Sequence, residues 1–303
     1  MKRTGEFVSS FNRSWKRFSE AWKNTRRNAS EKAVHDLRVN TRRLIATLEL
    51  ARVLSNRRSI AKVQRRFKKV LKNMGPLRDV QVQLNNVSQM RHGKLIDEFT
   101  RRLKRRESKE IQRIQHALKR GRKRRLATEI KQLGAEISSL RESLDAERIH
   151  RSVDHILSVR QNEFSKAKRR FDRLQPGNDW TLHVMRIALK KLRYVIEAFE
   201  PVLGPSAKAQ ARKMHAFQQI MGACRDLDIL RIELESWAKK KGKSIAIVPV
   251  LEQLHERREV LLKKIIESSK KLARIVDPES RQPVAETTEV AVAAVRARSA
   301  AAS

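Results

Sequence analysis

His35, Arg38, Arg42 and Arg43 stand in the order His-x2-Arg-x3-Arg-Arg-Leu, and the same order returns at His183, Arg186, Lys190 and Lys191 as His-x2-Arg-x3-Lys-Lys-Leu. These residue types suit phosphate. A guanidinium grips two phosphate oxygens with a planar fork, and an ammonium supplies a mobile point charge. An imidazole adds a donor whose pKa rises beside an anion. On a helix, with His35 taken as zero, Arg38 falls at about −60°, Arg42 at about −20° and Arg43 at about 80°. Leu37, Leu44 and Leu48 fall at about 180–220°, so the core face lies opposite the strip. In the second copy Met185, Leu192, Ile196 and Phe199 lie opposite His183, Arg186 and Lys190, and Tyr194 joins the polar strip. Cations one and two turns apart present a ladder to successive phosphates.

An ordinary solvated face would explain scattered lysines and arginines. It asks for neither a histidine at the head of each strip nor a cation three and seven residues later in both. Other chemistries fit less well. His35-Asp36 could be the His-Asp pair of a metal phosphohydrolase, but the second copy reads His183-Val184, so the repeated feature lacks the acid. His150 and His155 have no ligand-type spacing for a metal. A phosphohistidine would need a phosphoryl donor, and no Gly-rich nucleotide loop is present. The expectation is therefore a binding site with no catalytic residue, no metal and no cofactor.

A second pair of blocks follows in the same order: Met74-Gly75-Pro-Leu-Arg78-Asp79 and Met221-Gly222-Ala-Cys-Arg225-Asp226, with Arg65-Arg66 and Arg212-Lys213 upstream. The glycines predict a helix stop at Gly75 and at Gly222, with Arg78-Asp79 and Arg225-Asp226 opening the next helices. Each Asp is expected in a structural ion pair. For Arg78 and Arg225, packing stands slightly ahead of ligand contact.

The elements that must hold these residues are helices. Nine glycines and seven prolines in 303 residues, with almost no strand-type alternation, predict an all-α protein. Helices are expected at 5–28, 31–54, 57–73, 77–90, 94–120, 122–143, 147–174, 179–200, 205–222, 224–240 and 246–274. Two paired blocks in one order imply an internal duplication, with helical bundles at 5–145 and 146–275. From Asp277 onward periodicity and caps vanish, so 276–303 reads as a flexible, dispensable tail.

Charge narrows the partner. Seventy Lys and Arg against 33 Asp and Glu give a formal net charge of +37 and a pI near 11.3, so an anionic partner would both bind and relieve self-repulsion. Nucleic acid, polyphosphate and an anionic membrane all qualify. Apolar residues at 40% still allow a real core. Cys224 is the single cysteine, which excludes an internal disulfide and a cysteine-built zinc cage and suits a reducing cytoplasm. Met1–Ser10 is charged without an apolar stretch, and no run of apolar residues is long enough to span a bilayer, so neither a signal peptide nor a membrane span is expected. Unrepeated basic runs at Arg101–Arg106, Lys119–Arg125 and Lys239–Lys241 read as general attraction that steers a polyanion inward.

With the residues Val34–Leu44 and Leu182–Tyr194 and the two Gly-x2-Arg-Asp blocks, the chain resembles the CHAD domain, the conserved-histidine α-helical domain, over residues 5–275. That resemblance implies two helical bundles related by a pseudo-two-fold axis, a basic central groove, and binding of inorganic polyphosphate. It implies contacts from His35, Arg38, Arg42, Arg43, His183, Arg186, Lys190, Lys191, Arg193 and Tyr194, with Arg65, Lys69, Lys72, Arg212 and Lys213 as a second tier. Such domains resemble targeting modules for polyphosphate granules and in some chains accompany a CYTH triphosphate-tunnel domain. The β structure of that partner is missing from this sequence, which favours a stand-alone binder over an enzyme. The competing reading is nonspecific RNA or DNA binding, which the pI supports. Against it, aromatics make up only 5% of residues with one tyrosine, leaving few platforms for base stacking.

Overall fold

Long uninterrupted amphipathic segments dominate the computed structural model, which describes residues 2–55, 58–90, 93–120, 123–139, 146–174 and 179–276. Among the described residues there are helices and no strand. The helices are α1 (Lys2–Arg27), α2 (Glu31–Ser55), α3 (Arg58–Asn73), α4 (Gly75–Val87), α5 (Lys94–Arg120), α6 (Lys123–Ser139), α7 (Ala146–Arg173), α8 (Asp179–Leu203), α9 (Pro205–Lys240) and α10 (Val248–Val276). α10 takes in the first residue assigned to the tail. The rest of that tail, 277–303, lies outside the described residues, as do the expected bundle boundary at 145/146 and Arg122.

Local chemistry sets the corners. The Ser30 hydroxyl oxygen accepts from the Ala33 amide at 3.3 Å, the N-cap that starts α2. α8 runs into α9 through Gly204, whose φ of 83° lies in the left-handed region that a side chain disfavours, and Pro205 then opens α9 with its fixed φ. At the far end of α9, Gly242 has φ 66°, and the Gly242 and Lys243 amides donate to the Lys239 and Ala238 carbonyls, closing a Schellman cap.

One sequence expectation fails here. α9 passes unbroken through Gly222, joining the expected helices 205–222 and 224–240 into one, whereas α3 and α4 do part at Met74. The difference is Pro76. Proline cannot donate to the carbonyl a turn behind it, and its counterpart Ala223 can, so glycine alone costs helix stability without ending the helix. In the first half the loosened carbonyls are taken by arginines: Arg38 Nη1 donates to Leu71 at 3.0 Å and Arg113 Nη2 to Asn73 at 2.7 Å.

A single apolar core runs through both halves. Phe11, Phe18, Phe67, Phe99, Phe164 and Phe199 are fully buried, and Phe18 meets Phe67 edge-on with ring centroids 5.0 Å apart. α2 packs against α1, α3 and α8, α8 against α7 and α9, and α4 against α9. The helices bearing the repeated motifs are thus the ones that meet across the middle. No helix among the described residues is long and apolar enough to cross a membrane.

Candidate polyanion-binding cavity

Leu37, Leu44 and Leu48 on α2 and Met185, Leu192 and Ile196 on α8 are fully buried, as the helical phase requires. With those faces committed to the core, the opposite faces of α2 and α8 turn toward each other, and α4 and α9 close the space between them. The result is a cavity of about 700 Å³. His35, Arg38, Arg42 and Arg43 line it from α2, Arg78 and Asp79 from α4, and His183, Arg186, Lys190, Arg193 and Tyr194 from α8. α9 adds Lys208, Arg212, His215, Gln218, Arg225 and Asp226. The two strips therefore share one space.

Lys190 sits at the crowded centre. Burial pushes its ammonium down to about 6, and the charges of Arg42, Arg186, Arg38 and Arg193 push the same way. Burial likewise takes Arg38 down to about 10 and lowers Arg186. Among the described residues no carboxylate lies within 4.0 Å of the cationic nitrogens of Arg38, Arg42, Arg186 or Lys190, and only the more distant charges of Asp79 on Arg38 and Asp226 on Arg186 oppose the crowding. Crowding unpaired cations into a half-buried space opposes folding, and an anion arriving there would reverse the penalty. The Arg186 guanidinium lies against the bare backbone of α9 at Gly222, where a Cβ would come 3.8 Å from its Nε and Nη2.

Both histidines lie among cations. Burial first, then Arg78, lowers the pKa of His35; burial first, then Arg225, lowers that of His183. Both shifts favour the neutral imidazole, which can donate at one nitrogen and accept at the other, and His183 Nδ1 is a buried atom with no partner among the described residues. Asp36 is turned to Lys32, 2.9 Å away, and does not line the cavity, so His35-Asp36 is not assembled as a metal pair. Among the described residues no three His, Cys, Asp or Glu are placed to hold a metal.

The expected ion pairs of Asp79 and Asp226 are corrected. Neither makes an ion pair among the described residues. Asp228 does, with Arg258 at 2.6 Å and Arg225 at 4.0 Å. On an unbroken α9, residues 225 and 228 share a face while 225 and 226 diverge by about 100°. Asp226 instead faces the cavity, where burial raises its carboxyl to about 6 despite Arg186 and Arg78. Burial raises Asp79 too. Arg78 is held by Glu31 at 2.7 Å.

Arg193 and Arg43 are cavity residues with occupied donors. Arg193 is buried, donates to Gln218 Oε1 at 2.8 Å and to Glu197, and stacks on Tyr194. Arg43 Nε donates to the same Glu197 at 3.0 Å. Five sequence candidates lie elsewhere. Arg65, Lys69 and Lys72 are exposed on α3, which packs mainly on α2, α4 and α6, and none of the three lines the cavity. Lys191 pairs with Glu163 at 3.2 Å on the side facing α7, and Lys213 is exposed on α9. Conversely, Lys208, His215, Gln218 and Glu197 are cavity residues that the sequence reading passed over. Lys208, Arg212, His215 and Gln218 recur at helical spacing and continue to Arg225 and Ile229; the signal is periodic, but visible only if α9 is read as one helix.

Comparison with known proteins adds three findings. The family model described as CHAD domain matches residues 10–235. No curated protein matches. Among solved structures, the crystal structure of the CHAD domain from the plant Ricinus communis is similar at TM-score 0.63 and 20% identity, covering 90% of this chain and 88% of that one. At that identity the likeness concerns fold.

Proposed function

The chain belongs to the CHAD domain family, and from that premise we propose that it is a non-enzymatic module binding inorganic polyphosphate in the cavity between α2, α4, α8 and α9. One observation carries the reading: Arg38, Arg42, Arg186 and Lys190 converge on one half-buried space with no ion-pair partner among the described residues. A chain of phosphates fits that arrangement better than nucleic acid does. Each unit brings charge and acceptor oxygens without a base, and the cavity's tyrosine, Tyr194, is already covered by Arg193 at 4.3 Å and flanked by Arg42 at 5.9 Å. With that ring occupied, only the imidazoles of His35, His183 and His215 remain for base stacking. Attachment to polyphosphate granules follows as the cellular role.

The test is competition. Labelled polyphosphate bound at near-physiological salt is titrated with RNA of equal phosphate count. The reading expects polyphosphate to stay bound at equal phosphate concentration. Displacement at parity would replace it with general polyanion binding. Sustained polyphosphate turnover with added magnesium, lost in His35→Ala or His183→Ala, would replace the binder with an enzyme.

A further inference from the structure

The central cavity does not stop at Arg43. A second pocket of about 580 Å³ adjoins it, bounded by α1, the last turn of α8 and the first turn of α9. Arg43, Glu197, Glu200 and Lys208 line both spaces, so they are the shared wall and doorway. Beyond that doorway the pocket is lined by Ser10, Arg13, Ser14 and Arg17 of α1. These four recur at three- and four-residue intervals, so one face of α1 presents two hydroxyls and two guanidiniums in alternation along two turns.

We propose that this pocket is a second anion subsite in line with the central cavity, so that a linear polyphosphate passes the Arg43–Glu197 pair and continues along α1. The proposal rests on the polyphosphate reading above and deepens it. The ligand is an extended chain that spans both spaces, and compact phosphate compounds fill only the first.

Charge at the doorway supports passage. Four cations, Arg13, Arg17, Arg43 and Lys208, face two carboxylates, Glu197 and Glu200. Glu197 is neutralised twice over, by Arg43 at 3.0 Å and by Arg193. An arriving phosphate can take Arg43 from Glu197 and leave that carboxylate still paired with buried Arg193, so no charge is stranded. The α9 N-terminus at Gly204–Pro205 opens on the same pocket and adds to the positive potential.

The matching positions of the other repeat show the contrast. Lys191 stands where Arg43 does in the motif and Glu49 where Glu197 does, yet they do not bind each other. Glu49 pairs with Arg160 of α7, Lys191 pairs with Glu163 of α7, and Arg160 also pairs with Glu163 at 2.6 Å. A single α7 acid, Glu163, pairs with both Lys191 and Arg160, whereas on α1 the corresponding wall carries Arg13 and Arg17. The path is therefore one-sided.

The experiment compares two ligands, tripolyphosphate and a chain of tens of phosphates, on the full chain by titration calorimetry. Arg13→Glu with Arg17→Glu, both exposed in the wild type, should weaken the long chain at least tenfold and leave tripolyphosphate within about twofold. Lys16→Glu with Lys23→Glu, exposed α1 lysines outside the pocket, makes the same charge change and should show no such length dependence. Equal losses for both ligands, or equal losses in the two double variants, would show that only the overall field is felt and would overturn the subsite. Unchanged long-chain affinity in Arg13→Glu with Arg17→Glu would overturn it too, while the central site stood. Wild-type protein that binds neither ligand would overturn both.

Discussion

The Arg193 guanidinium lies 4.3 Å from the centre of the Tyr194 ring while its Nε donates to Gln218 at 2.8 Å. Two adjacent residues of one strip thus form a buried plate that roofs the cavity beside Lys190. Arg193 also holds Glu197, so it organises the wall and is not spare charge for a ligand.

Arg193→Ala should therefore act first on stability. It strips a partly buried carboxylate of one partner and uncovers Gln218 and Tyr194, at a cost of about 1–3 kcal/mol. Denaturant titration reads this. Arg193→Lys should not restore it, because an ammonium cannot stack on the ring and bond both partners at once. A variant as stable as the parent would make Arg193 a free ligand cation.

Arg186→Glu should act on binding. It reverses a charge inside the cavity and should weaken polyphosphate by about tenfold to a hundredfold, or about 1.4–2.8 kcal/mol. Arg105→Glu, on the exposed face of α5 and outside the cavity, changes net charge equally and should matter by less than about threefold. Equal effects, measured at one salt concentration, would mean that position is irrelevant.

Affinity should rise as pH falls. Burial holds Lys190 down to about 6 and Asp226 up to about 6. A bound polyanion favours the ammonium and disfavours the carboxylate, so binding draws protons in, and affinity climbs by up to about tenfold per pH unit for each proton taken up between about pH 8 and 6. Calorimetry in two buffers of different ionisation heat measures that uptake directly. Lys190→Arg, charged throughout, should flatten the dependence.

The same lysine works against the free fold. Unfolding returns it from about 6 to its ordinary 10.5, so between those values the unfolded chain holds the extra proton and stability rises with pH. Its penalty is complete below about pH 6. Lys190→Met should raise the melting temperature most on that acid side and least above pH 10; a uniform shift would point to packing instead.

Leu44→Ala and Leu192→Ala, at the same position of the two repeats and both fully buried, should each cost about 2–5 kcal/mol in denaturant titration. Binding at temperatures where the variants remain folded should change little. Loss of binding without loss of stability would put these leucines at the ligand.

Much of this protein was legible in its residues. The spacing of His35, Arg38 and Arg42 against Leu37, Leu44 and Leu48 is a local property of one helix, and helical phase alone separates the basic face from the core face. The recurrence at His183 and the sparse glycine and proline carry the all-helical class for the same reason, since propensity and periodicity act within a few residues. What was missed depended either on one local residue given too little weight or on neighbours far along the chain. That Gly222 leaves α9 unbroken while the helix parts beside Gly75 turns on one proline, and it decided whether Lys208 and His215 share a face with Arg225. That Arg65, Lys69 and Lys72 point away while Arg43 of α2 is held by Glu197 of α8 follows from which helix stands beside which. Charge at a position is set by residue type, but whether that charge is free, paired or pushed toward neutrality is set by burial and largely by partners on other helices, and only packing brings those together.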